Sequence, residues 1–223
     1  MPREGKAGSG FVRFGAGLLA LALLACSEPF TIDDSGPTAG WPHYGNEAGG
    51  SRHSPLTQID PGNVHALEVA WVHHTGDVVD GSDTLLPGSF QATPILHGGT
   101  LYLCTPRNQV IALDAETGER RWRFDPEVDT TGIYVLACRG VSFWRDREAA
   151  DGSACQRRIF SGTVDGRLFA LDASTGEPCA DFGVNGAVDL REGIGDVAPG
   201  EYGVTSPPAL IDGGVVVGTM VLD

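Results

Sequence analysis

An all-β fold is what this sequence predicts, on three observations: an internal repeat near 57 residues, an abundance of turn-forming residues, and strand-length apolar runs with no helical periodicity between them. The repeat is read by superposition. LYLCTPRNQVIALDAETGERRW from Leu101 matches IFSGTVDGRLFALDASTGEPCA from Ile159 at an offset of 58, and both share A-L-D-A-x-T-G-E. A third copy opens in TSPPALIDGGVVVGT, where Pro208 superposes on Pro94, Leu210 on Leu96 and Thr219 on Thr105 at an offset of 114. The 223 residues include 32 Gly and 14 Pro, with Gly at about twice its ordinary share, which suits short strands joined by tight turns. With 41% hydrophobic and 20% charged residues the composition is that of a globular chain rather than a disordered one.

From the N-terminus, Arg3, Lys6 and Arg13 precede the apolar run GAGLLALALLA that ends before Cys26. That is the layout of a secretory signal over residues 1–25, and the run is shorter than the roughly 20 apolar residues a membrane-spanning helix needs. Leu23-Leu24-Ala25-Cys26 resembles the bacterial lipobox, which implies lipidation of Cys26 followed by a linker over residues 26–40. Ser27, where a retention signal for the inner membrane would show Asp, favours an exported, periplasm-facing protein anchored in the outer membrane.

In the first full unit, Thr93 to Leu96 reads as a short extended segment, His97-Gly98-Gly99 as a turn and Thr100 to Cys104 as a strand. Arg107-Asn108 is a turn, Val110 to Leu113 a strand, and Asp114 to Gly118 a tight turn in which Gly supplies a positive φ and Asp bonds backbone N–H groups. Arg121 to Phe124 then returns as a strand. About four strands per unit make a propeller blade, and residues 41–223 hold three to four blades, fewer than the four to eight that close a propeller. The chain is therefore expected to be the N-terminal part of a larger propeller.

Charge excludes whole classes of function. There are 29 acidic and 15 basic residues, a formal net charge of −14, and past residue 25 the balance is 28 acidic to 12 basic. A basic surface for nucleic acid or for anionic lipid is excluded by that balance. His73 and His74 fall on opposite faces of an extended segment, which disfavours one shared metal ion. Cys104, Cys138, Cys155 and Cys179 lack zinc-site spacing, so in an oxidising compartment they are expected to form disulfides. Cys138 and Cys155 bracket one hairpin and are the expected pair, with Cys104–Cys179 as the remaining option.

The stretch A-L-D-A-x-T-G-x-x-x-W ending at Trp122 resembles the tryptophan-docking motif of the quinoprotein dehydrogenases, eight-bladed propellers that bind pyrroloquinoline quinone (PQQ). In that motif the Trp of one blade packs on the peptide of the next; the second copy departs from it with Ala180 at the Trp position. WPHYGNEAGGSRHSPLTQID, NVHALEVAWVHHTGD, ATPILHGGTLYLCT, CRGVSFW and PGEYGVTSPPA, in this order, resemble the branch that includes the membrane-bound glucose dehydrogenases. The resemblance implies oxidation of a sugar or alcohol by hydride transfer to PQQ, with Ca²⁺ or Mg²⁺ at the quinone and a membrane quinone or cytochrome as electron acceptor.

It also implies residues. Arg139 in CRG is the expected donor to a cofactor carboxylate, because a guanidinium fork holds a planar carboxylate at two points. Gln91 stands where the family usually carries Glu, so it keeps hydrogen-bonding capacity and loses the charge. Thr205 and Ser206 open the third unit at the matching place, and Asp223 stands where some relatives carry a carboxylate ligand of the ion, an oxygen ligand of the kind Ca²⁺ takes. Val135 replaces a pocket His, which counts against glucose as substrate. The family's base is an Asp in a later blade, so no catalytic residue is expected in this chain, and alone it is expected to be inactive. The competing reading is a cofactor-free propeller lipoprotein, a scaffold in outer-membrane protein assembly.

Overall fold

A computed structural model describes residues 40–47, 49–77 and 88–221. The leader, Cys26 with most of its linker, and Asp223 lie outside the described residues. The regular elements of the described chain are all β-strands, apart from one 3₁₀ turn at Val64–Ala66. No helix among these residues is long and apolar enough to cross a membrane.

The first sheet takes the strands in chain order: β1 (Ile95–His97), β2 (Thr100–Cys104), β3 (Val110–Asp114) and β4 (Arg120–Phe124), all antiparallel. The second repeats it with β5 (Ser142–Arg145), β6 (Arg157–Gly162), β7 (Arg167–Asp172) and β8 (Ala187–Asp189). The offset of 58 is kept in register, since Leu101 pairs with Leu113 as Ile159 pairs with Leu171. Four-stranded propeller blades are thus present, two of them complete among the described residues. Of the third, β10 (Ala209–Ile211) and β11 (Gly214–Val216) form a hairpin whose pairing of Ala209 with Val216 reproduces that of Ile95 with Tyr102. The short strand β9 (Tyr202–Gly203) pairs with β12 (Met220–Val221).

Strands β1 and β10 both touch β5, so the first strands of the three units run side by side and the outermost strands β4 and β8 lie away from them. The main core fills the space between the two complete blades. Ile95, Tyr102, Val110, Ala112 and Trp122 from the first pack against Val141, Phe143, Ile159, Phe169 and Leu171 from the second. Burying such side chains stabilises each by about 1.5–3 kcal/mol.

The repeat motif supplies the joint between blades. Asp114 Oδ1 accepts from the N–H groups of Glu116 and Thr117, and Asp172 Oδ1 does the same for Ser174 and Thr175. Each turn then exposes a glycine and a carbonyl to a tryptophan of the unit before. Trp71 Nε1 donates to Ala115 O at 3.3 Å beside Gly118, and Trp122 Nε1 donates to Ala173 O at 3.0 Å beside Gly176. Trp71 is a docking residue that the sequence does not predict, its NVHALEVAWVHHTGD block carrying only a family resemblance.

The expected Cys138–Cys155 disulfide is corrected, and so is the Cys104–Cys179 option: the bonds are Cys104–Cys138 and Cys155–Cys179. In the β5–β6 hairpin Cys138 precedes β5 at one end, while Cys155 precedes β6 at the other, so the length of the strands separates them. Cys138 meets instead the last residue of β2 in the neighbouring blade.

Candidate functional site

Antiparallel order puts the entry to each first strand and the β2–β3 type of turn at one end of the blades, with the A-L-D-A-x-T-G turns at the other. Gln91, Thr93, Cys104, Asn108, Arg139 and Thr205 therefore share the first end. There the entries to three successive units are bonded in a row. The Thr93 N–H donates to Arg139 O at 3.0 Å, and the Arg139 N–H donates to Thr205 O at 2.8 Å.

The Arg139 side chain is exposed and its Nη1 donates to Thr205 Oγ1. No carboxylate lies within ion-pair distance of it among the described residues. Its backbone is held on both sides, by Cys138 in the disulfide to Cys104 and by Gly140, whose φ of 157° leaves a Cβ 3.1 Å from Pro207 Cγ. Asn108 closes the same joint: its Nδ2 donates to Ala137 O at 3.0 Å and its Oδ1 accepts from Val164 N at 2.9 Å.

The other anticipated residues stand as follows. Thr205 and Ser206 are half-buried beside Arg139, and Val135 is half-buried. Gln91 is exposed and its Nε2 donates to Ser89 Oγ at 2.6 Å, with no bond to Arg139. Asp223 lies outside the described residues. Among the described residues the one cluster of metal-ligating types is Cys155, Cys179 and Asp181, and its two sulfurs are bonded to each other, which removes them as thiolate ligands.

Beside the row lies a cavity of about 440 Å³, lined by His43, Tyr44, Glu47 and Arg52 on one side and by Ser142 and Pro207 to Leu210 on the other. The Trp41 backbone pairs with Leu96, which holds this first segment against β1. Arg52 sits 4.7 Å over the Tyr44 ring. Polar approach of Arg52, then of Thr93, holds the Tyr44 hydroxyl below its ordinary pKa, with a smaller contribution from the charge of Arg139. Burial lowers the pKa of His43 against the opposing pull of Glu47. Sequence reasoning missed Tyr44 and Arg52 as site residues; the signal available was the block W-P-H-Y-G with Arg52 eight residues past Tyr44.

The donor set fits a flat polycarboxylate such as PQQ: an unpaired guanidinium, hydroxyls, and apolar plates at Pro207, Pro208 and Leu210. The family described as "Glucose/ethanol/alcohol dehydrogenase, beta-propeller domain", a PQQ family, matches residues 41–223. The quinate/shikimate dehydrogenase (quinone) of Acinetobacter baylyi is 38% identical over 209 residues, 86% of this chain and 25% of that protein. The quinoprotein glucose dehydrogenase of Escherichia coli is 42% identical over 190 residues, 82% of this chain and 24% of its own length. The crystal structure of quinohemoprotein alcohol dehydrogenase from Comamonas testosteroni superposes with a TM-score of 0.60 at 28% identity, over 81% of this chain and 23% of that one. The chain thus spans about a quarter of the length of the curated relatives it matches.

Proposed function

The chain belongs to the PQQ-dependent glucose/ethanol/alcohol dehydrogenase β-propeller family, and on that premise we propose that it carries one wall of the PQQ site of an enzyme oxidising a sugar or alcohol. The observation that supports this most is the bonded row Thr93, Arg139, Thr205, which places an unpaired guanidinium where three first strands begin. Bound there, PQQ supplies the hydride acceptor. Arg139 holds one of its carboxylates, in a geometry that Thr205 Oγ1 and the Cys104–Cys138 bond keep from drifting. Thr205 and Ser206 offer hydroxyls to the cofactor edge, and Gln91 offers an amide without charge.

Asp223 is assigned to Ca²⁺ or Mg²⁺, and no residue of this chain is assigned as proton acceptor. Electrons pass to a membrane quinone or cytochrome. Export through a signal over 1–25, lipidation of Cys26 and anchoring at the outer membrane belong to the same proposal, on the basic, apolar and Cys order of that segment. The scaffold reading is not favoured, because the relatives named above are dehydrogenases over more than four-fifths of this chain.

Equilibrium dialysis against PQQ, with and without Ca²⁺, tests the site. Arg139→Ala should weaken binding about 3- to 10-fold, the scale of a solvent-exposed charged contact. Binding that is unchanged by Arg139→Ala would refute the assignment.

A further inference from the structure

One wall of the cavity beside Arg139 is the Pro207 to Leu210 stretch already named; the other, from His43 to Arg52, is a segment that the proposed PQQ wall leaves unused. Two of its residues, Tyr44 and Arg52, bring a hydroxyl and a guanidinium stacked at 4.7 Å. Like Arg139, Arg52 has no carboxylate within ion-pair distance among the described residues. The opposite wall follows directly on the bonded row. Ser142 is three residues past Arg139, Pro207 and Pro208 come just after Thr205 and Ser206, and a Cβ at Gly140 would press on Pro207 Cγ at 3.1 Å. Tyr44 also approaches Thr93 and feels the charge of Arg139, which puts the cavity next to the Arg139 end. Among the described residues Glu47 is the one carboxylate in the lining, and the N–H groups of Gly49 and Ser51 donate to it. Pro207, Pro208 and Leu210 provide the apolar part of the lining.

A cationic fork and a hydroxyl facing an apolar plate suit a ring that bears a carboxylate. We propose that Tyr44 and Arg52 form a second carboxylate anchor beside Arg139, for a ring-shaped carboxylate seated in the cavity they line. That carboxylate belongs either to the cofactor ring or to a cyclic hydroxy acid; the first source rests on the PQQ reading above, the second does not.

Binding of PQQ and, separately, of quinate to the purified chain with its disulfides intact decides between them, in wild type, Arg52→Gln, Tyr44→Phe and Arg139→Ala, with Arg123→Gln as an equal loss of charge elsewhere. The expected result is a weakening of about 3- to 10-fold by Arg52→Gln, smaller for Tyr44→Phe, and none for Arg123→Gln, since the guanidinium is solvent-exposed. Loss confined to PQQ identifies the cofactor as the source, and loss confined to quinate identifies the hydroxy acid. Quinate binding that needs Arg52 in a chain that binds no PQQ keeps this inference and refutes the PQQ reading. PQQ binding that needs Arg139 and ignores both Arg52 and Tyr44, with quinate equally indifferent to them, refutes this inference and keeps that reading. Equal weakening by Arg123→Gln, or no binding of either ligand by the wild type, also overturns it. Near-ultraviolet circular dichroism of each variant must match the wild type, and Tyr44→Phe keeps the ring should Arg52→Gln fail to fold.

Discussion

At Gly176 the backbone has a φ of 78°, and a Cβ built there would lie 2.6 Å from the Trp122 ring. Both facts require glycine, so Gly176→Ala should cost about 1–3 kcal/mol and lower the Tm in thermal unfolding, from left-handed strain and the displaced indole. Gly98→Ala is the comparison, because its φ is 56° but its Cβ would meet open space; it should cost less. Trp122→Phe replaces the indole by a smaller phenyl ring and removes one donor from Ala173 O, which Tyr102 Oη still satisfies at 3.1 Å, so the loss should be about 1–3 kcal/mol and come mostly from the cavity. Asp114 carries a pH dependence of its own. Bonding from Arg121 first, and from the Thr117 N–H next, lowers its carboxyl from 3.8 to about 2. A depressed folded-state pKa means stability that is whole above about pH 4 and is lost as pH falls through about 2. Asp114→Asn should flatten the stability slope over that window in acid unfolding followed by tryptophan fluorescence.

The outer strand of the second blade shows what an element does when the repeat lapses. In the first blade β4 returns straight from its turn and delivers Trp122; in the second Ala180 stands there, and the chain makes further turns before Val188 pairs with Leu168 as Phe124 pairs with Val110. The Cys155–Cys179 bond closes this stretch where the docking indole is missing. By loop entropy, a bond spanning 24 residues contributes about 3.5 kcal/mol. The Cys155→Ser/Cys179→Ser double variant should lose stability on that scale in urea unfolding. Non-reducing peptide mapping of the wild type should recover Cys104 linked to Cys138 and Cys155 linked to Cys179.

Across the molecule, the two complete blades are joined by different means at their two ends. At the repeat-turn end the joint is apolar and stacked, through Trp122 on Gly176. At the Arg139 end it is polar and covalent, through Asn108, the Cys104–Cys138 bond and the row of entry peptides. Asn108 adopts φ 60°, a left-handed conformation that asparagine tolerates better than most residues, and is 1% exposed. Asn108→Ala would leave Ala137 O and the Val164 N–H without their partner in a buried joint. It should cost about 2–4 kcal/mol in chemical unfolding and, because Ala137 lies two residues from Arg139, also weaken PQQ binding.

What the sequence by itself determined was everything governed by contacts close along the chain. The Asp-to-Gly turns, the strand bounds within a residue or two and the register offset of 58 follow from local turn chemistry and side-chain alternation, which leave a legible pattern. The row of Arg139 and Thr205 was legible in part, because both open their units at equivalent places in the repeat. Tertiary structure alone decided the partner of each cysteine, the docking of Trp71 on the first blade and the meeting of Tyr44 with Arg52 and Thr93. Those pairings depend on which end of a strand a residue reaches and on which blade lies beside it. Spacing along the chain does not encode such distances, since an antiparallel hairpin carries sequence neighbours to opposite ends and brings remote residues together.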